Sequence, residues 1–133
     1  MKKLLISTLF FGLCSVQAYA DYIPQQKSVS AQAAQYSTMG IQDLIRAAKS
    51  GQAAAQFYLA TRYQAGKDIQ KDVKEAFTWF KAAADQGISS AQLNVGRMYA
   101  DGIGVSKSET SARQYFEKAA SHGDNRASFN LAM

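Results

Sequence analysis

Catalysis by side chains needs an activated nucleophile or water, a base to activate it and usually a third group to orient that base. This chain of 133 residues offers few such groups. His122 is its single histidine, and Cys14, its single cysteine, lies in an N-terminal apolar run that reads as a cleaved leader. The mature chain then has no thiol, and metal sites built from several His and Cys ligands are excluded. Its carboxylates are scattered. Asp68 and Asp72 flank a turn, while Glu109 and Glu117 share a helix, spacings that suit a solvated face better than an acid/base couple. Trp79 could stack on a ligand, but it recurs as Tyr115 a fixed 36 residues on, as a packing position does. His122 falls in the last turn of a helix, where a cation or polar group suits the negative helix end. No catalytic residue, metal ligand or cofactor is assigned.

A step of 36 runs through the chain from Gly51 onward and defines the elements that position these residues. Ala55, Ala91 and Ala127 keep it, as do Leu59, Val95 and Leu131, and Gly51, Gly87 and Gly123. Tyr63 pairs with Tyr99, Gly66 with Gly102, Ala76 with Ala112, Phe80 with Phe116 and Ala83 with Ala119. Self-similarity at this period marks stacked repeats. Within a unit, Ala91, Val95, Met98 and Tyr99 form one stripe of an amphipathic helix, and Gly102 ends it in the left-handed conformation that only glycine enters without a Cβ penalty. Gly104 gives the turn a second permissive point; Asp68, at that place in the first unit, tolerates left-handed backbone better than most residues. A second helix carries Ala112, Phe116 and Ala119, matched by Ala76, Phe80 and Ala83. Ser108 and Asp72 stand where an N-cap is wanted, and Asp72 with Glu75 reads as a capping box. The alanines let neighbouring helices approach while Trp79, Tyr115, Phe80 and Phe116 fill the remaining space. Phe57, Leu93 and Phe129 recur in step as well, either as packing between units or as an apolar seam for a partner.

The order Ala-x-x-x-Leu/Val-Gly/Ala-x-x-Tyr-x-x-Gly, then Ala-x-x-Trp/Tyr-Phe and a Lys/Ala-Ala-Ala-x-x-Gly ending, resembles the Sel-1-like repeat, a relative of the tetratricopeptide repeat. Ala91 to Gly123 is the fuller copy, with Gly96, the Gly102-Ile103-Gly104-Val105 turn and Lys118-Ala119-Ala120; Ala55 to Gly87 departs at Ala60 and Asp68. The resemblance implies an all-α fold, a short right-handed α-solenoid of antiparallel helix pairs. It also implies that the first helices line a concave side that holds peptides or protein segments. The polar positions outside the core stripe there include Tyr58, Arg62, Asn94, Arg97 and Asn130. Amide and guanidinium groups at such intervals can clamp an extended backbone or a carboxylate, so these five are the expected partner-binding residues.

Residues 1–20 have the form of a secretory signal: Lys2 and Lys3, an apolar core from Leu4 to Val16, and Ala18-Tyr19-Ala20 before a cut expected after Ala20. Leu13 stands where a lipoprotein signal needs a small residue, which argues against an anchor at Cys14. Cleavage lowers the 15 basic residues to 13 against 10 acidic ones, a net charge of +3 with no Lys/Arg run, so nucleic acid is not an expected partner and neither is stable membrane insertion. Residues 21–38 read as a polar, flexible arm with a weak helical tendency near Ala31 to Ala34. The repeat domain is expected over 39–133: a half-repeat at 39–54 with Ile41, Leu44, Ile45 and Ala48 on one face, repeats at 55–90 and 91–126, and a partial repeat at 127–133. The last piece stops before the expected Gly and Tyr, and three readings of it stand side by side: a fraying end, a shortened reading frame, or an edge covered by self-association or another molecule.

The expected function is a non-enzymatic interaction module, periplasmic or secreted, that binds a protein or peptide. One alternative is a β-lactamase-like or cell-wall-acting enzyme, as implied by a cysteine-rich branch of the same family, although that branch carries paired cysteines in each repeat. Another is a self-associating structural piece.

Overall fold

The computed structural model describes residues 32–121. Helix α1 covers residues 32–38, inside the stretch that reads as a polar arm. The repeat body begins at Thr38 and contains α2 (Ile41–Lys49), α3 (Ala53–Ala65), α4 (Val73–Asp85), α5 (Ser89–Asp101) and α6 (Glu109–Ser121). There is no strand among the described residues. From α2 onward each helix packs on the next, and α3/α4 and α5/α6 are the two full pairs of an all-α solenoid. Long turns at 66–72 and 102–108 join the helices within a pair, and short turns at 50–52 and 86–88 join one pair to the next.

The long turns repeat bond for bond. Gly66 and Gly102 end α3 and α5 in the left-handed region at φ 69° and 66°, and their amides donate to the Arg62 and Met98 carbonyls. Farther along, the Asp72 amide donates to Tyr63 O at 3.0 Å and the Ser108 amide to Tyr99 O at 2.9 Å, so each tyrosine of the stripe also anchors its own turn. The caps form as the sequence indicates, with one correction. Asp72 Oδ1 accepts from the Lys74 and Glu75 amides, at 3.0 and 3.1 Å, and Ser108 Oγ accepts from Ser111 N at 3.2 Å. The reciprocal half of the capping box is missing, because the Asp72 amide is committed to Tyr63.

The core is built from the residues kept in step. Ala60, Ala76, Phe80, Ala83, Ala91 and Val95 are fully buried, with Met98 and Tyr115 beside them and Phe57, Tyr63, Phe77, Trp79 and Tyr99 packed around. Phe80 meets Phe57 edge-on at 5.6 Å, and Tyr99 meets Phe77 edge-on at 5.2 Å. Leu93, Ala112, Phe116 and Ala119 form a second cluster toward the C-terminal pair. Leu93 is therefore a packing residue and Phe57 rests on the core; Phe129 lies outside the described residues. A Cβ at Gly96 would stand 2.6 Å from the Phe116 ring, so a missing side chain on α5 lets the α6 aromatic press against it. In the half-repeat, Leu44 and Ala48 are buried and Ile41 and Ile45 half-buried, as one apolar face requires.

Candidate functional site: the first-helix face

Helices α3 and α5 are the first helices of their pairs, and they carry the expected partner-binding residues. Tyr58 on α3 and Asn94 on α5 occupy equivalent positions, both half-buried; the Tyr58 ring stands edge-on to Phe57 at 5.5 Å. Arg97 lies one turn beyond Asn94, is exposed and makes no ion pair or side-chain hydrogen bond among the described residues. Asn130 lies outside the described residues.

Arg62 differs from the expectation of a surface clamp. It is 6% exposed, its Nη1 is ion-paired with the Asp68 carboxylate, and its Nη2 donates to Met39 O at 3.4 Å. The step of 36 explains this: Arg62 is the counterpart of Met98, which is 3% exposed in the core, and Asp68 is the counterpart of Gly104. Both turn residues are left-handed, at φ 61° and 73°. At Gly104 a Cβ would collide with the Val73 carbonyl at the start of α4 and approach the Met98 methyl. The arginine fills the position of a core methionine while bonding to the Asp68 carboxylate and the Met39 carbonyl.

The structure also reveals a polar joint that residue chemistry alone did not single out. Gln56 and Gln92, 7% and 3% exposed, donate from Nε2 to Ala48 O at 3.2 Å and Ala84 O at 3.1 Å. Each ties the first turn of a first helix to the end of the second helix before it. The available signal was the Ala-Gln pair at 55–56 and 91–92, polar and in step. Nearby in sequence, at the end of α4, Tyr115 lies over Tyr99 at 5.9 Å and its hydroxyl donates to Asp85 at 3.4 Å, while Lys81 pairs with Asp85 at 3.0 Å and Lys118 lies over the Tyr115 ring.

The electrostatics are those of a structural surface. Burial raises the Tyr115 phenol, helped by Asp85; burial raises Tyr63, helped by Glu75 and Asp72; the hydrogen bond to Asp85 raises Lys81. All three move away from neutrality, the opposite of what a base or nucleophile working near pH 7 needs. A hollow lined by Tyr63, Ile69, Lys71, Asp72 and Glu75 opens beside the first long turn, but its Asp72 is already used as a helix cap. Among the described residues no three His, Cys, Asp or Glu side chains gather as metal ligands, and no helix is long and apolar enough to cross a membrane.

The Sel1 repeat model matches residues 53–88 and 89–124, each frame opening two residues before the Ala55 and Ala91 starting points. A Sel1 repeat protein from Oxalobacter formigenes is 39% identical, with 69% of each chain covered and a TM-score of 0.68. Helicobacter pylori cysteine rich protein B is 28% identical over 68% of each chain, with a TM-score of 0.65. A protective antigen of uropathogenic Escherichia coli with the same fold is 28% identical over 77% of this chain, at a TM-score of 0.66; this chain spans only 26% of that antigen. No curated protein matches. With two units matched over more than half its length and relatives that share its fold, the chain belongs to the Sel1 repeat family, whose members generally serve as protein-interaction modules.

Proposed function

We propose that the protein is an exported, non-enzymatic interaction module that holds a protein or peptide segment along a concave surface formed by its first helices. The observation that carries this reading is Arg97: an exposed guanidinium with no protein partner among the described residues, one turn from the Asn94 amide. Such a pair can take a carboxylate or an extended backbone, the guanidinium bidentately. Tyr58 supplies a ring at the equivalent place in the preceding unit, and Asn130 continues the series in sequence. Arg62 is left out of the binding set because its charge is used inside the fold. Export rests on the form of residues 1–20, with cleavage after Ala20 leaving the module in the periplasm or outside the cell.

The test is site-specific photocrosslinking in the native envelope. A crosslinker at position 94 or 97 is expected to give a discrete adduct that R97A competes poorly for, and the same group at exposed Arg113 on α6 is expected to give none. Equal adducts from 97 and 113 would refute the choice of face. For the enzymatic alternative, the mature protein is expected to turn over nitrocefin no faster than a boiled control, since the chain has no cysteine pair.

A further inference from the structure

The two first helices present different chemistry at matched positions. On α3 the helical face that is half-buried or exposed carries Ala54, Tyr58, Thr61 and Ala65; on α5 the same places are Ser90, Asn94, Arg97 and Asp101. Thr61 is polar by type, but its hydroxyl donates to the Tyr58 carbonyl of its own helix at 2.6 Å, which leaves its methyl group for a bound segment. Nor does α3 have a cation to contribute, since Arg62, its one charged residue, is buried and paired with Asp68. The α5 strip is uncommitted. Ser90, Asn94 and Arg97 make no side-chain hydrogen bond among the described residues, and Arg97 is not paired with Asp101 one turn on, the base-before-acid order being the weaker one on a helix.

An extended segment that crosses from α3 to α5 therefore passes from an aromatic and methyl surface to a guanidinium and an amide. Both helices contribute to one core cluster. Helices packed together lie about 8–10 Å apart, a span that an extended chain at about 3.3 Å per residue covers in about three residues. We infer that the segment held is one in which an apolar side chain stands about three residues from an aspartate or glutamate. The apolar side chain rests on Tyr58 and the Thr61 methyl, and the carboxylate is taken by Arg97 with the Asn94 amide donating beside it. The opposite placement fails, because a carboxylate on the α3 strip would lose water without meeting a cation. This assignment rests on the reading of the first helices as the holding face and adds what that face selects.

The experiment exposes the mature protein to a displayed library of random short peptides, sequences those retained, and measures them with blocked ends by fluorescence anisotropy. Retained peptides are expected to carry an apolar residue and, about three positions away, Asp or Glu. R97A is expected to weaken them about tenfold, and exchanging the peptide's acid for its amide should do the same on the unaltered protein. Y58A is expected to weaken them about fivefold, whereas T61V should bind as wild type does, because only a methyl is presented there. N94Y with R97T gives α5 the central chemistry of the α3 strip and is expected to abolish the acidic preference. Peptides that compete with the adduct at position 97 yet show no acidic preference, or a T61V that loses binding, would overturn this assignment while leaving the holding face in place. Peptides that do not displace that adduct, or a library from which none is retained, would remove the face and the assignment with it.

Discussion

Arg62 and Asp68 do in the first repeat what Met98 and Gly104 do in the second, and this exchange yields a directional test. Truncating Arg62 removes buried methylenes and a charge-assisted bond to the Met39 carbonyl, while Asp68 can return to water. R62A should therefore cost about 2–3 kcal/mol in a urea titration, mostly through lost packing. Converting the pair to the other solution, R62M with D68G, should recover most of that loss, because glycine suits the left-handed turn and methionine fills the arginine's space. The reverse conversion should fail. M98R with G104D places a Cβ against the Val73 carbonyl, which no arginine relieves, so the double variant should be no more stable than G104D alone. This is also where residue chemistry misleads: seen on one helical face, Arg62 reads as a surface clamp, whereas its counterpart Met98 gives its true environment. Arg97 corresponds to Thr61, not to Arg62, so the two arginines were never equivalent.

At the level of the helix, the caps and turns were the most legible features, because each depends on one or two residues whose backbone preference is strong. Gly66, Gly102, Asp72 and Ser108 all act as their types and spacing indicate. The missing half of the capping box was not legible, since it depends on where the Asp72 amide finds its acceptor, and that acceptor belongs to the helix before. The consequence is measurable. D72A should destabilise the protein by about 1 kcal/mol through loss of two amide acceptor contacts, while E75Q should leave the urea midpoint nearly unchanged. Helix packing also sets an alkaline limit. Burial holds the Tyr63 and Tyr115 phenols above the ordinary value of 10.0 for a tyrosine, so in this range the folded chain keeps protons that the unfolded chain releases. Their contribution is intact below about pH 10, the unfolded value, and is lost as pH rises through the folded values. Tyrosinate absorbance of the folded protein should accordingly lag that of the urea-unfolded chain, and Y63F should reduce the lag.

At the scale of the whole repeat body, α2 to α6 form a row of neighbours rather than a single sphere of core, since each helix packs mainly on the ones before and after it. Position in the row should then decide how far damage spreads. Phe80 is fully buried, belongs to the cluster that joins α3, α4 and α5 with Tyr115 of α6 at its edge, and meets Phe57 edge-on. Phe116, 7% exposed and equivalent to it in sequence, belongs to the cluster shared by α5 and α6. Truncating either removes a similar amount of apolar surface, about 3–5 kcal/mol for a buried phenylalanine. The spatial pattern should nonetheless differ. F80A should raise amide hydrogen exchange from α3 through α5, because it weakens interfaces on both sides of α4 at once. F116A should raise exchange in α6 and the outer part of α5 and leave α2 to α4 close to wild type. Equal exchange across all helices in both variants would mean that the repeats unfold as one cooperative block, and that the interfaces between pairs are as strong as the contacts within them.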